Sequence, residues 1–203
     1  MAQRTDMDKK ILKTSLHAFA ANGYDGTSMR DIASSVGIQQ SSIYNHFKNK
    51  EDILLKLFKK YGPVTIATRL RQEKLIRDMK NGRDFLENVI NEYYRLSLDK
   101  DERDFFRILI REHTREPVRS ILRRRFLKDL RHFFNRAFDK MKDFGEIKDI
   151  ETEILTEEFL GYLIFNEFEH ILRNYSLKES EKLKNKTKNH LNFFWNAIKK
   201  SGV

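Results

Sequence analysis

The sequence predicts an all-α protein on three observations. Apolar residues recur at i, i+3, i+4 and i+7 along most of the chain, the spacing of a helix with one buried face. No stretch alternates apolar and polar residues in the manner of a half-buried strand. Two Pro and eight Gly among 203 residues leave few points at which a helix must stop.

The elements follow in order. A first helix runs from about Asp6 to Asn22, with Leu12, Leu16, Phe19 and Ala20 as its inner stripe and Gly23 as its stop. Two short helices come next, one from Ser28 to Val36 and one built on Ile43 and Phe47. Asn49 caps a fourth helix that sets Ile53, Leu54, Leu57, Phe58 and Tyr61 on one face. Gly62-Pro63 kinks or breaks it, because Pro63 lacks a donor and crowds the preceding turn. Helix then resumes to about Met79, and Asn81-Gly82 ends it. Further helices are expected over about Arg83–Leu98, Glu102–Arg115, Pro117–Asp143, Ile150–Asn174 and Leu177–Lys200, about nine helices in all. A boundary near residue 48 separates a three-helix unit (residues 1–48) from a larger helical domain (residues 49–203). It is a joint rather than a linker, since the fourth helix grows directly out of the first unit. A rigid rod at that place can carry a tilt.

The most informative stretch is residues 27–54, TSMRDIASSVGIQQSSIYNHFKNKEDIL. Met29, Ile32, Ala33 and Val36 stand at helical spacing. Thr27 or Ser28 can cap that helix, Asp31 sits in its first turn, and Gly37 stops it in a left-handed conformation. Ile43 and Phe47 then anchor a second helix and leave Gln39, Gln40, Ser41, Ser42, Tyr44, Asn45 and His46 outside. Those side chains donate and accept hydrogen bonds without net charge, as reading base edges requires. Gln39, Gln40 and Asn45 can pair bidentately with adenine, and Ser41 and Ser42 can reach bases or phosphates. Ala33 and Gly37 let two helices cross closely, as a helix-turn-helix demands. A polar surface helix in a small bundle has a similar composition, so the weight falls on the ordered set as a whole.

Over roughly residues 8–58 that set resembles the tetracycline-repressor (TetR) family of bacterial one-component transcription regulators. The resemblance rests on Gly23-Tyr24 ahead of the cap, on Asp31-Ile32-Ala33, and on the ending Ile43-Tyr44-x-His46-Phe47-x-x-Lys50-Glu51. It implies an N-terminal three-helix helix-turn-helix DNA-binding domain followed by a C-terminal helical ligand-binding and dimerisation domain. It also implies that Tyr44, His46 and Lys50 hold the phosphate backbone, with Thr27, Ser28, Met29 and Arg30 contacting DNA from the preceding helix. Phosphate contacts fix register and base contacts choose sequence. The family often has Ser where this chain has Gln39. The second helix is therefore expected to be less well capped, with Gln39 free to meet DNA.

Bulk properties narrow the function further. The chain carries 40 Lys and Arg against 30 Asp and Glu, a net charge of +10. That balance suits a polyanionic partner, although most of the excess lies outside residues 1–50. Absence of Cys removes disulfides and thiolate metal sites and fits a reducing cytoplasm. No run of about 18 apolar residues is present to span a membrane. No Gly-rich phosphate loop, nucleophile elbow or HExxH motif occurs, so an enzyme reading has no residue to rest on. Asp129-x-x-His132 and Glu167-x-x-His170 each pair two ligand types on one helix face, but the further carboxylates of a bundle metal site are not evident. No metal or cofactor is expected.

Three features of the larger domain bear on partners. The helix over Ile150–Asn174 is apolar on more than one side, which means burial on more than one side. With the last helix it is expected to form a homodimer interface, as the family does, through Phe159, Tyr162, Leu163, Leu191, Phe194, Trp195 and Ile198. An ordinary monomer core would use the same residue types. A pocket for a small hydrophobic or amphipathic effector is expected, mainly from the resemblance, among Phe85, Val89, Tyr93, Phe105, Leu109, Phe126, Leu130, Phe133, Phe165 and Phe168. Each of these alone reads as core packing. Arg111 and Arg115, within a series of arginines spaced by four, are candidates for holding an anionic effector, against the plainer reading of an ion-paired surface. The expectation is a dimeric repressor on a palindromic operator of double-stranded DNA, released by a small molecule. The alternative is a nonspecific architectural DNA-binding protein without effector.

Overall fold

The computed structural model describes residues 2–62, 72–173 and 177–202, apart from the side chains of residues 2–4, 72–73, 126, 170–171, 173 and 177–180. Its elements are α1 (Ala2–Asn22), α2 (Met29–Val36), α3 (Gln40–Ile43), α4 (Lys50–Lys60), α5 (Gln72–Arg77), α6 (Gly82–Leu98), α7 (Lys100–Glu112) and α8 (Val118–Leu122). A wider-turned π-helical stretch, Arg123–Leu130, then leads into α9 (Arg131–Asp143), α10 (Thr152–Arg173) and α11 (Leu177–Ile198). Among the described residues the only extended pairing is an isolated bridge between Ile147 and Lys199. The all-α expectation holds. It differs in one place, where the helix expected to run unbroken from Pro117 to Asp143 passes through the π-helical turns. Pro63, expected to break the fourth helix, lies outside the described residues. That helix ends at Lys60, with Tyr61 extended and Gly62 at φ 79°.

The chain forms two compact units, one of Met1–Val64 with Asp99–Arg123 and one of Thr65–Leu98 with Arg124–Val203. The first is built around Ile11, Leu16, Phe19, Ile32, Val36, Ile43, Phe47, Leu54 and Phe58, all buried. Phe105 and Ile108 of α7 and Val118 of α8 belong to the same cluster, so this unit holds more than the three helices visible from its motif. Asp99 caps α7 by accepting the amides of Asp101 (2.9 Å) and Glu102 (3.1 Å). His17 of α1 lies 2.8 Å from the buried Asp104 of α7 through Nδ1, and Arg107 pairs with the other oxygen of Asp104 at 2.8 Å.

The second unit packs α6, α9, α10 and α11 around a run of aromatic rings. Phe85, Phe133, Phe134, Phe159 and Phe194 follow one another at centroid separations of 5.8, 5.0, 5.4 and 5.5 Å, within the range of favourable ring pairs. The start of α6 is tied to the segment after α9 by a 2.6 Å hydrogen bond from the Gly82 amide to Glu146 Oε2.

Gly62 is the backbone position under the tightest constraint. Its φ is positive, and a Cβ added there would stand 2.6 Å from Phe105 Cε1. Its amide donates to Glu102 Oε2 at 3.0 Å. Gly62→Ala is expected to destabilise the protein by about 2–4 kcal/mol, from left-handed strain plus overpacking, read as a lowered midpoint in urea with an unchanged denaturant slope.

Candidate nucleic-acid interface

The site begins with the turn before α2. Ser28 caps that helix in a reciprocal box: its Oγ accepts the Asp31 amide at 3.1 Å, and its own amide donates to Asp31 Oδ2 at 2.9 Å. The Ser28 hydroxyl also donates to Asp31 at 2.6 Å, and these bonds hold the Asp31 carboxyl below the usual carboxylate range. Thr27 is buried, with its hydroxyl donating to Gly23 O at 2.9 Å. At the far end Gly37 adopts φ 80°, and the Ile38 amide closes onto Ala33 O at 3.0 Å. Lys10 of α1 then satisfies the free Val36 carbonyl at 2.9 Å.

α3 is short. One α turn, Gln40–Ile43, continues as tighter turns in which Asn45 bonds to Ser42 O and His46 to Ile43 O. Gln39 occupies the N-cap without a side-chain capping bond, as its replacement of a serine predicts. Ile43 is fully buried and Phe47 nearly so. Between them the chain turns outward: Gln39, Gln40, Ser41 and Asn45 are exposed, and Tyr44 is 50% exposed. With Ser28 and Arg30, also exposed, they form a polar face with donors, acceptors and one cation.

The other residues expected to touch DNA sit differently. Thr27 and Met29 are buried, so their side chains cannot reach a phosphate. His46 is partly buried and bonded through Nδ1 to Asp8 of α1 at 2.6 Å. Lys50 is already engaged: its ammonium donates to Tyr24 O at 2.7 Å and Thr27 O at 2.8 Å and lies 4.3 Å from the Tyr24 ring centre. These four position the turn and α3. The signal in the sequence was correct for the motif, but it could not separate contact from support.

The two arginines considered for an anionic effector also serve the first unit. Arg111 donates to Ala20 O at 2.9 Å. Arg115 bonds to Glu112 at 2.6 Å and Asp25 at 2.7 Å and stacks 4.6 Å from the Tyr24 ring centre. An acidic ligand at Arg115 would have to displace two carboxylates.

In the second unit the expected sets are regrouped. Phe159, Leu163, Leu191, Phe194, Trp195 and Ile198, proposed for a dimer face, are buried within their own chain, and Tyr162 packs against the same core. A side chain covered at home offers little area to a partner. The exposed apolar residues of these two helices are instead Ile154, Ile164, Phe165, Phe168 and Leu172 of α10 and Phe193 of α11, with Phe165, Leu172 and Phe193 64%, 72% and 73% exposed. Their signal was present in the excess of apolar positions on α10, but the pattern does not say which side faces inward. Of the pocket set, Phe85, Val89, Tyr93, Leu130 and Phe133 share the second core. Phe105 and Leu109 pack in the first unit's core, Phe165 and Phe168 are exposed, and the Phe126 side chain lies outside the described residues. His132 and Asp129 are exposed, and the side chain of His170 is outside the described residues.

Residues 11–57 match the profile of bacterial regulatory proteins of the tetR family. The likeness to that family is carried by this N-terminal stretch of the chain. It is 32% identical over 96 residues to the fatty acid metabolism regulator protein of Bacillus subtilis (strain 168), a match covering 47% of this chain and 48% of that protein. The chain thus spans about half the length of that curated relative. Its fold is similar to a Mesorhizobium loti protein described as a TetR-family transcriptional regulator, at TM-score 0.76 and 17% identity over 97% of this chain and 98% of that one. It is also similar to AibR, crystallised with isovaleryl coenzyme A and operator DNA, at TM-score 0.64 and 21% identity over 88% and 94% of the two chains. At these identities the likeness to the solved structures is one of fold. Among the described residues no helix is long and apolar enough to cross a membrane.

The arrangement separates support from contact by experiment. Lys50→Met keeps the aliphatic stem and removes two charge-assisted bonds to buried-turn carbonyls. It is expected to cost about 2–3 kcal/mol of stability, seen as a lower thermal midpoint. Tyr44→Ala is expected to change the midpoint little, because that ring is half exposed.

Proposed function

We propose that this chain is a dimeric transcriptional repressor of the TetR family that binds a palindromic operator through α3 and is released by a small-molecule effector. The observation that carries the reading is the exposed row Gln39, Gln40, Ser41, Tyr44 standing directly over the buried anchors Ile43 and Phe47. Uncharged amide and hydroxyl tips on a rigidly seated helix suit the major groove, where each base pair presents its own pattern of donors and acceptors. Gln39 and Gln40 are assigned to base edges. Ser28, Arg30, Ser41 and Tyr44 are assigned to phosphates, where they set register. The division of labour runs near residue 48: residues 1–48 read DNA, and residues 49–203 sense the effector and dimerise.

Dimerisation is supported by need and by surface. One short helix reads few bases, so a two-fold pair on an inverted repeat is the usual solution, with half-sites about 34 Å apart. The exposed Phe165, Phe168 and Leu172 fall at i, i+3 and i+7 on α10, a stripe suited to a second copy of itself. Gly161 continues the stripe one turn earlier, where an added Cβ would meet nothing within 4 Å, which leaves room for another helix to approach closely. A cytoplasmic location follows from the DNA partner. The effector acts by binding the DNA-free form more tightly, since equal affinity for both forms shifts nothing. AibR, similar in fold, was crystallised with both operator DNA and an acyl coenzyme A, which supports a ligand-responsive reading here without naming the ligand.

The alternative of a nonspecific architectural binder predicts little preference among sequences and a steep loss of affinity with salt. A gel-shift titration with DNA from upstream of the chain's own gene separates the two. The repressor reading expects retention against scrambled competitor, and expects Gln40→Ala to lose about 1–3 kcal/mol of that preference. Equal competition by scrambled DNA contradicts it. For the dimer, Phe165→Asp with Phe168→Asp is expected to give a monomer by light scattering while helix content is kept. A dimer persisting in that variant removes the α10 stripe from the interface.

A further inference from the structure

The inner face of α10 changes character along its length. It is apolar through Phe159, Leu160 and Leu163, then polar at Asn166 and Glu167, and all five side chains are buried. Asn166 is fully buried, and neither Nδ2 nor Oδ1 has a hydrogen-bond partner in the protein. The same is true of the Tyr162 hydroxyl and of His190 Nε2. These groups lie together. The Tyr162 and His190 rings stack at 3.4 Å with 4° between their planes. Burial pushes the Tyr93 phenol well above the usual range, and the Glu167 carboxylate, which accepts its hydroxyl, and the nearby Tyr162 add to that. Asn166 stands one turn beyond Tyr162 on α10. A buried polar group left without a partner costs about 1–3 kcal/mol, so the four such atoms of Asn166, Tyr162 and His190 call for a partner of their own.

We propose that this cluster is the effector site and that it takes an uncharged planar molecule presenting an N–H donor beside a carbonyl acceptor, such as a carboxamide, lactam or nucleobase-like ring. The inference rests on the reading that residues 49–203 sense a small molecule, and it names the chemistry of that ligand. The Asn166 amide offers a donor and an acceptor in one plane and matches such an edge at two points. Tyr93, Tyr162 and His190 supply ring faces and further hydrogen bonds. Burial depresses the His190 pKa, with Glu158 opposing, so this imidazole brings no charge. Among the described residues no lysine or arginine is buried as a whole, Arg125 burying only its Nε, whereas Glu167 is buried. An organic anion would therefore enter without a counter-charge, at high cost. A groove of about 170 Å³ between α6 and α11, lined by Ile90, Tyr94, Thr187 and Leu191, lies one turn from Tyr93 and His190. Lys184 and Lys188 at the same groove are exposed, and water and salt screen them.

Calorimetric titration of the full chain with nicotinamide and with nicotinate tests this, because the two differ only in carboxamide against carboxylate. Nicotinamide is expected to bind at least about ten-fold tighter than nicotinate, a gap of about 1.4 kcal/mol. Asn166→Leu is expected to lose about ten-fold or more of the nicotinamide affinity while its thermal midpoint stays level or rises, since an unpartnered amide is removed. Tyr93→Phe, which keeps the ring and deletes the hydroxyl, serves as the second variant and is expected to weaken nicotinamide in the same direction. Failure of nicotinamide to bind at millimolar concentration, equal binding of nicotinate, or unchanged affinity in both variants overturns the assignment. Specific operator binding is measured on the same preparations without ligand. If it is present while nicotinamide fails, the site alone is wrong; if it is absent, the regulator reading is wrong.

Discussion

The burial of Ile43 and Phe47 in the first unit's core is the constraint on which the reading face depends. Two side chains four residues apart, both held inside, fix the rotation of the short helix between them. Once that rotation is fixed, Gln40, Ser41 and Tyr44 can only point out. The helix itself is too short to be stable alone, and Gln39 gives it no capping bond. Its geometry is therefore borrowed from its neighbours. Ile32, Ala33 and Val36 wall one side of the core, Phe19 and Ile11 another, and Lys56 covers the Phe47 ring at 4.3 Å. Lys10, Lys50 and Asp8 bind the turns around it to α1 and to the loop ahead of α2. Positive side chains that composition alone would assign to DNA are spent on holding the face proposed to meet DNA.

The second unit answers a different demand. Its aromatic run provides the apolar burial, and one end of that core then gives up stability by enclosing Asn166, Tyr162 and His190 atoms without partners. Its surface also departs from that of an ordinary monomer, with Phe165, Phe168, Leu172 and Phe193 left open. Both departures are costs in the isolated chain, and the proposed ligand inside and second copy outside would offset them. Functional sites are where local rules of stability are expected to fail.

Much of this was legible in the sequence, and the remainder was hidden for identifiable reasons. Helical period, Gly23, Gly37 and the Ser28–Asp31 box placed the first elements within a few residues, because they are local signals. The π-helical turns over Arg123–Leu130 have no local signal, since their residues suit an α-helix equally well. Pattern also could not say that Phe105 and Ile108, far along the chain, complete the first core, because that is a matter of tertiary contact. In the candidate interface, the exposed Gln39, Gln40, Ser41 and Tyr44 were readable from spacing. That Lys50 and Thr27 face inward was not, because a lysine can donate to a backbone carbonyl as readily as to a phosphate. The α10 face shows the same limit. A helix apolar all round announces two buried sides, but Phe159 and Phe165 cannot be sorted into core and surface without knowing what packs on each.

The central claim is that two copies of the α3 face enter successive major grooves. Hydroxyl-radical footprinting of the full chain on its upstream DNA measures this directly. The account predicts two protected patches related by a dyad, their centres about one helical turn, roughly 10 base pairs, apart. A single patch at saturating protein, or unbroken protection that spreads along the duplex as protein is added, would contradict it.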